Sequence, residues 1–143
     1  MEDRCPLCRD VKEALEGNSD RIVAIREHSV ILVGEHQYFP GYCMVVSRQH
    51  AREMHDLPAE IQRAIFDDLM RAGRAVQQAF KPLKINYASL GNVVEHLHWH
   101  VIPRRADEVD PKAHPWAESA RFPDKKTTPG EARRVADLIK RFL

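Results

Sequence analysis

The sequence predicts an α+β fold in which an antiparallel sheet is covered by helix on one face. Five short runs read as strands joined by short links, whereas two segments repeat apolar residues at helical spacing. The order of these segments along the chain excludes a doubly wound parallel sheet. A length of 143 residues is typical of one domain with its own core.

The first three strands are predicted in the N-terminal third of the chain. Residues 22–26 and 30–33 are rich in β-branched side chains and are separated by a short polar break, so we expect two neighbouring antiparallel strands. Residues 43–47 follow a Pro-Gly turn and form a compact apolar run between polar residues, which indicates a third, buried strand.

The clearest helix begins at Pro58, where apolar residues start to recur every three or four positions. This apolar stripe continues to Phe80, and Lys81-Pro82 ends the helix because proline cannot continue it. Residues 85–90 and 96–103 then read as the fourth and fifth strands.

The end of the chain is predicted to be an arm followed by a second helix. Residues 103–126 are polar and dotted with proline, and we expect them to lie extended over another part of the protein. Thr128 and Glu131 form a capping box with Pro129 at the first helical position, which starts the last helix.

The composition argues against two classes of partner. Lys and Arg number 22 against 21 Asp and Glu, so the net charge of +1 and the lack of a basic stripe leave little attraction to nucleic acid. Wholly apolar runs such as residues 30–33 are far shorter than a membrane span, so no membrane partner is expected. The N-terminus lacks the apolar stretch of a secretory signal, and we expect a cytoplasmic protein.

Three of the eight histidines fall within five residues, at His96, His98 and His100. On a strand these three imidazoles would share one face, while Leu97 and Trp99 would point into the core. Imidazole titrates near neutral pH and can serve as nucleophile, proton donor or metal ligand. Two other interpretations remain open: solvated histidines on an edge strand, and a metal site that uses two of the three.

Residues 96–104 resemble the His-φ-His-φ-His-φ-φ motif of the histidine triad (HIT) family. The similarity extends upstream through residues 40–42, 48–57 and 90–94. It implies a HIT domain over residues 1–116, with residues 117–143 as an arm and helix packed on the same domain. It also implies a five-stranded sheet that joins a partner's sheet in a homodimer. The chain most resembles the small bacterial branch described as diadenosine tetraphosphate hydrolase-like.

The resemblance implies a nucleotide hydrolase or transferase that attacks an α-phosphate and releases a nucleoside monophosphate. His98 would form a nucleotidyl-histidine intermediate, and His100 would hydrogen-bond or protonate the leaving oxygen. Asn92 would direct an amide donor at the phosphate. The implied substrates are dinucleoside polyphosphates or phosphoramidates, and no organic cofactor is implied. The alternative is a nucleotide-binding, zinc-stabilised interaction module with little catalysis.

The chain departs from the family pattern at two positions. Many relatives carry Asn or Asp for the ribose hydroxyls where this chain has Gly34, and Glu35 is the expected substitute. Tyr42 stands where another histidine is common, and its hydroxyl can donate a hydrogen bond without titrating near neutrality. Arg104 could attract a phosphate. The expected substrate-binding residues are therefore Glu35, Tyr42, Asn92 and Arg104.

Cys5 and Cys8 have the short spacing of a zinc half-site. The alternatives are a free thiol pair and a redox dithiol, although the βα context of a thioredoxin-like motif is absent. The resemblance implies that His50 and His96 complete a structural Cys2His2 zinc site. Three further histidines are expected to be solvated: His28, His36 and His55.

Overall fold

A computed structural model describes residues 4–143, and the first three residues of the expected domain lie outside the described part. It contains a five-stranded antiparallel sheet with strand order β1-β2-β3-β5-β4. The strands are β1 (Ile22–Ile25), β2 (Ser29–Val33), β3 (Cys43–Ser47), β4 (Lys84–Ala88) and β5 (His98–Arg104). The helices are α1 (Pro6–Leu15), α2 (Ala59–Phe80) and α3 (Pro129–Lys140). The predicted α+β fold is confirmed.

Helix α1 was not predicted from the sequence. Its buried residues, Leu7, Val11 and Ala14, recur at helical spacing, and Pro6 occupies its first turn. The side chain of Cys5 caps its N-terminus. The apolar spacing was present in the sequence, but the interpretation of this stretch considered only the chemistry of its two cysteines.

The sheet has a core on each face. On one face, alternate residues of β5 such as Trp99 and Val101 pack with α2 and α3. The opposite face carries His98, His100 and Ile102, and its apolar residues pack with α1 and with Trp116 and Phe122 of the arm. The prediction of helix on one face alone was therefore incomplete, because α1 and the arm cover the other face.

Strand β5 begins at His98, two residues later than predicted. The first β3–β5 pair is Val46 with His98, whereas the N–H of Leu97 donates to the carbonyl of Ala51 at 2.8 Å. His96 therefore precedes the strand. The expectation that all three imidazoles share one strand face was wrong: only His98 and His100 do.

The arm, residues 105–127, packs on the face of the sheet that carries His98 and His100. It consists of turns that end in a 3₁₀ helix, Ser119–Lys125, and is not the extended segment that was expected. Its end is tied to the segment after β2. The N–H of Gln37 donates to the carbonyl of Lys125, and the N–H of Thr127 donates to the carbonyl of Glu35, both at 2.9 Å. The arm is thus a fixed part of the fold.

Within residues 4–143, the helices are all either too short or too polar to cross a bilayer.

Candidate active site and metal centre

His98 is 8% exposed and has a defined tautomer. Its Nδ1 lies 2.7 Å from the backbone carbonyl oxygen of His96. Because a carbonyl oxygen only accepts, Nδ1 carries the proton and Nε2 of the neutral ring holds a lone pair. The ring of His100 lies beside it at right angles, with 4.8 Å between centroids.

His100 is held by Tyr42 on the same face of the sheet. Its Nδ1 lies 2.6 Å from the Tyr42 hydroxyl oxygen. Burial, followed by the nearby His98 and His36, lowers the pKa of His100 to about 4. Burial also raises the pKa of Tyr42 well above its ordinary value. Both partners are therefore uncharged at neutral pH.

A cavity of about 350 Å³ opens beside His98. Its polar lining includes Asn92, Ser89 and Arg52. Gly91 adopts a positive φ of 69° at the turn that carries Asn92. The structure therefore brings Asn92 and His98 to one cavity, which is large enough for a phosphate group and part of a nucleotide.

Gly34 and Tyr42 are structurally coupled. A Cβ atom at position 34 would overlap the ring of Tyr42, which is only 6% exposed. The space that a ribose-binding side chain would need at position 34 is filled by the tyrosine. Glu35, the expected substitute, is exposed and contributes its backbone carbonyl to Thr127.

Arg104 was expected to attract a phosphate, and the structure gives it another role. The residue is 4% exposed, and it is bound by the Glu108 carboxylate, the side chain of Asn86 and the carbonyls of Asp110 and Ala113. These acceptors occupy both terminal nitrogens and Nε. Arg104 therefore anchors the arm and is not placed to meet a substrate.

The expectation that His36 is solvated was wrong. Its ring stacks on Phe122 at 4.1 Å, and burial lowers its pKa to about 4. Trp116 contacts the ring of His100 edge-on, with 5.2 Å between centroids. Sequence reasoning found aromatic anchors in the arm but not that they cover His100, since this contact depends on the path of the arm.

The four expected metal ligands, Cys5, Cys8, His50 and His96, lie together, with all ligand atoms within 4.8 Å of one another. The Cys8 Sγ lies 3.1 Å from His50 Nδ1 and 3.3 Å from His96 Nδ1. The Cys5 Sγ lies 3.5 Å from His96 Nδ1. Sequence analysis thus named a group that the fold assembles from α1, the segment after β3 and the segment before β5.

This arrangement fits a zinc ion. Zn–S and Zn–N bonds in a tetrahedron place ligand atoms about 3.3–3.8 Å apart. His96 Nε2 lies 2.7 Å from the carbonyl oxygen of Ser47, so Nε2 carries the proton and Nδ1 presents its lone pair to the thiols. Cys5 is the N-cap residue of α1, so the helix start fixes the position of its sulfur.

A five-stranded sheet that carries two adjacent histidines on one face, one of them lining a polar cavity, beside a Cys2His2 cluster, defines the histidine triad class of fold and site. The sequence pattern of the HIT domain family matches residues 16–107. The match covers more than half of the chain, and this protein belongs to the HIT domain family. The resemblance stated from the histidine motif is confirmed at that level.

Individual relatives share the fold at low identity. The chain is 25% identical over 83 residues to the protein named hit of Bacillus subtilis; the alignment covers 54% of this chain and 57% of that protein. The chain thus spans little more than half the length of this relative. A histidine triad protein of Bradyrhizobium japonicum superposes with a TM-score of 0.73 at 25% identity, covering 90% of this chain and 93% of that one. A zinc-bound histidine triad family protein of Mycobacterium smegmatis superposes with a TM-score of 0.69 at 19% identity, covering 99% and 94%.

Proposed function

We propose that this protein is a nucleotide hydrolase or transferase in which His98 attacks an α-phosphate. The supporting observation is the His98 tautomer: Nδ1 donates to the His96 carbonyl at 2.7 Å, which leaves the Nε2 lone pair for phosphorus. His98 also lines the polar cavity of about 350 Å³. Family membership supports the nucleotide as the substrate class.

The proposed reaction has two displacements. In the first, the Nε2 lone pair of His98 forms a bond to the α-phosphorus, and the bond from phosphorus to the leaving oxygen breaks with its electron pair on that oxygen. The ring keeps its Nδ1 proton, so the nucleotidyl-imidazolium formed is stabilised by the His96 carbonyl. In the second, a water oxygen bonds to phosphorus, the electron pair of the P–N bond returns to Nε2, and a water proton passes to solvent.

Other residues of the site assist these steps. His100 donates a hydrogen bond to the leaving oxygen, from a ring held 4.8 Å from that of His98. Asn92 lines the same cavity and directs its amide N–H groups at the phosphate oxygens. The diadenosine tetraphosphate hydrolase-like assignment is part of this proposal, with dinucleoside polyphosphates or phosphoramidates as substrates.

We further propose that Cys5, Cys8, His50 and His96 hold a structural zinc ion. Their ligand atoms lie within 4.8 Å of one another, and the Mycobacterium smegmatis relative is described as zinc-bound. When bound, zinc would cross-link α1 to the residues that flank β3 and β5. The thiolates that zinc requires suit a reducing, cytoplasmic location.

We also propose a homodimer. Strand β4 lies at an edge of the sheet, and Leu83 and Tyr87 there are 68% and 40% exposed. Pairing of two such edges would cover these side chains and join the two sheets into one.

The test is turnover by purified His98→Ala of a panel of adenosine and guanosine dinucleoside polyphosphates and phosphoramidates. We expect no detectable turnover by this variant, with an unchanged circular dichroism spectrum. His55→Ala is the matched control, because the His55 side chain is 82% exposed, and we expect wild-type turnover. Undiminished turnover by His98→Ala would refute the proposal, whereas nucleotide binding without turnover by wild type would support the zinc-stabilised binding module.

A further inference from the structure

The Tyr42 hydroxyl has one hydrogen-bond partner among residues 4–143, the Nδ1 of His100 at 2.6 Å. Burial raises the pKa of the Tyr42 hydroxyl, which therefore keeps its proton, and Nδ1 is the one acceptor within reach of that proton among the described residues. Nδ1 of a neutral His100 then accepts, and the single ring proton lies on Nε2. His98 and His100 therefore hold opposite tautomers.

The backbone of β2 and the following segment fix this hydrogen bond. The Tyr42 ring lies against Gly34, where any side chain would overlap it. The ring of His36 also packs on the Tyr42 ring, with 4.8 Å between centroids. Packing of the Tyr42 ring against Gly34 and His36 therefore helps the hydrogen bond to keep the Tyr42 hydroxyl beside His100.

His100, held in this tautomer by Tyr42, can donate a hydrogen bond through its Nε2–H group but has no proton to release. If His100 gave up its Nε2 proton it would become an anion unless Tyr42 replaced the proton, and that transfer would leave a buried phenolate. If His100 instead took up a proton on Nδ1, the Tyr42 O–H bond would have to turn away so that its oxygen could accept, and the hydroxyl proton would have no other acceptor within hydrogen-bond distance among residues 4–143. A buried O–H group without an acceptor is costly, so protonation of Nδ1 is disfavoured.

The two proposed substrate classes differ in their need for a proton. In an anhydride, His98 Nε2 bonds to phosphorus and the P–O electron pair departs on a phosphate, which is stable as an anion because its second pKa is about 6. In a phosphoramidate, the P–N electron pair departs on nitrogen, which must gain a proton to leave as an amine. That proton requires a general acid, a contribution typically of about 10² to 10⁴ in rate.

We infer that Tyr42 is a positioning residue that fixes His100 as a neutral hydrogen-bond donor, and that it restricts the enzyme to phosphoanhydrides over phosphoramidates. This inference rests on the proposed function of His98. Tyr42 acts through His100 and was expected from the sequence to contact substrate directly.

The experiment compares kcat/KM for a dinucleoside tetraphosphate and for a nucleoside 5′-phosphoramidate with the same nucleoside. We expect wild type to prefer the anhydride by at least about a hundredfold. Tyr42→His places a titratable imidazole against His100, and we expect it to raise the ratio of phosphoramidate to anhydride turnover at least about tenfold. Tyr38→His adds a histidine elsewhere in the aromatic cluster and should leave the ratio at its wild-type value.

Comparable turnover of both substrates by wild type, or an unchanged ratio in Tyr42→His, would overturn the inference while leaving the proposed function intact. Turnover of neither substrate would contradict the proposed function, and with it this inference.

A second measurement does not depend on activity. Imidazole ¹⁵N NMR, assigned with His100→Gln, should show the proton of His100 on Nε2 in wild type. Tyr42→Phe keeps the ring beside Gly34 but removes the hydroxyl, and we expect a measurable population with the proton on Nδ1. A wild-type His100 protonated mainly on Nδ1, or a tautomer that does not respond to Tyr42→Phe, would overturn the inference.

Discussion

At the scale of single residues, His98 and His100 differ in which ring nitrogen carries the proton. The carbonyl of His96 accepts from Nδ1 of His98, whereas the hydroxyl of Tyr42 lies against Nδ1 of His100. One ring is thereby prepared to attack phosphorus and its neighbour to donate a hydrogen bond. The two imidazoles therefore differ in chemistry because His98 faces a backbone acceptor and His100 faces a side-chain donor.

Gly34→Ala tests the packing that holds Tyr42 in place. The new Cβ would overlap the tyrosine ring, so we expect a loss of about 1–3 kcal/mol in the free energy of unfolding and a displaced hydroxyl. Gly130→Ala is the matched control, because a Cβ there meets open space, and we expect no loss of stability. Urea unfolding measures both. Equal stability of the two variants would contradict the coupling of Gly34 to Tyr42.

The sequence predicted part of this site. Strand alternation placed His98 and His100 on one face, and the family pattern marked Gly34 and Tyr42 as departures. The coupling of these two departures was not predictable, because it depends on how closely the tyrosine ring approaches β2. The partial burial of His36 was missed for a similar reason: its stacking partner, Phe122, is distant along the chain.

At the scale of elements, the arm is organised by one buried guanidinium. Arg104 is at the end of β5, and its ion pair with Glu108 is 5% and 11% exposed at the two side chains. It also binds the carbonyl of Ala113, close to Trp116, which covers His100. Arg104, at the end of β5, thereby sets the path of the arm, and the arm places Trp116 against His100.

Arg104→Met should release the arm. Removing one partner of a buried ion pair leaves an uncompensated carboxylate, for which we expect a loss of about 3–5 kcal/mol in the free energy of unfolding. Amide hydrogen exchange should rise along residues 108–127. Arg105→Ala removes an ion pair with Asp107 that is largely exposed, so it is the control and should change stability by less than about 1 kcal/mol.

The double variant Arg104→Met, Glu108→Leu distinguishes the ion pair from simple packing. It replaces both charges with apolar side chains and should recover part of the lost stability. If Arg104→Met were as stable as Arg105→Ala, or if hydrogen exchange in the arm did not change, the anchoring role of Arg104 would be wrong.

The strands and long helices were predicted to within a few residues, because the spacing of apolar residues within each segment is visible in the sequence itself. Helix α1 was missed although its spacing was visible, since only the chemistry of the cysteines at its start was considered. The start of β5 was predicted two residues early because pairing with β3, which begins at Val46 and His98, is a tertiary property. The path of the arm depends on its hydrogen bonds to Arg104, Gln37 and Glu35, which are distant along the chain from much of the arm and are not visible in local propensity.

At the scale of the whole molecule, the Cys2His2 cluster joins helix α1 to the segments that flank two paired strands, β3 and β5. Cys5 and Cys8 belong to the start of α1, and His50 follows β3. His96 is fully buried, and its backbone carbonyl accepts from the His98 ring. Stability and the geometry of His98 are therefore linked through His96.

Metal analysis and thermal unfolding test this link. We expect one zinc per chain, and a stabilisation of about 4 kcal/mol when free zinc exceeds the dissociation constant a thousandfold. His50→Ala should lose the metal and should not respond to added zinc, whereas His55→Ala should behave as wild type because that side chain is exposed. Equal zinc content in wild type and His50→Ala would show that the cluster is not the metal site.

The most direct measurement of the central claim is the location of a covalent intermediate. Wild-type protein is mixed with excess dinucleoside tetraphosphate, quenched under conditions that preserve a P–N bond, and digested for mass spectrometry. We predict one nucleoside monophosphate attached to His98. A nucleotide attached to another residue, or turnover that proceeds without any covalent adduct, would contradict attack by His98.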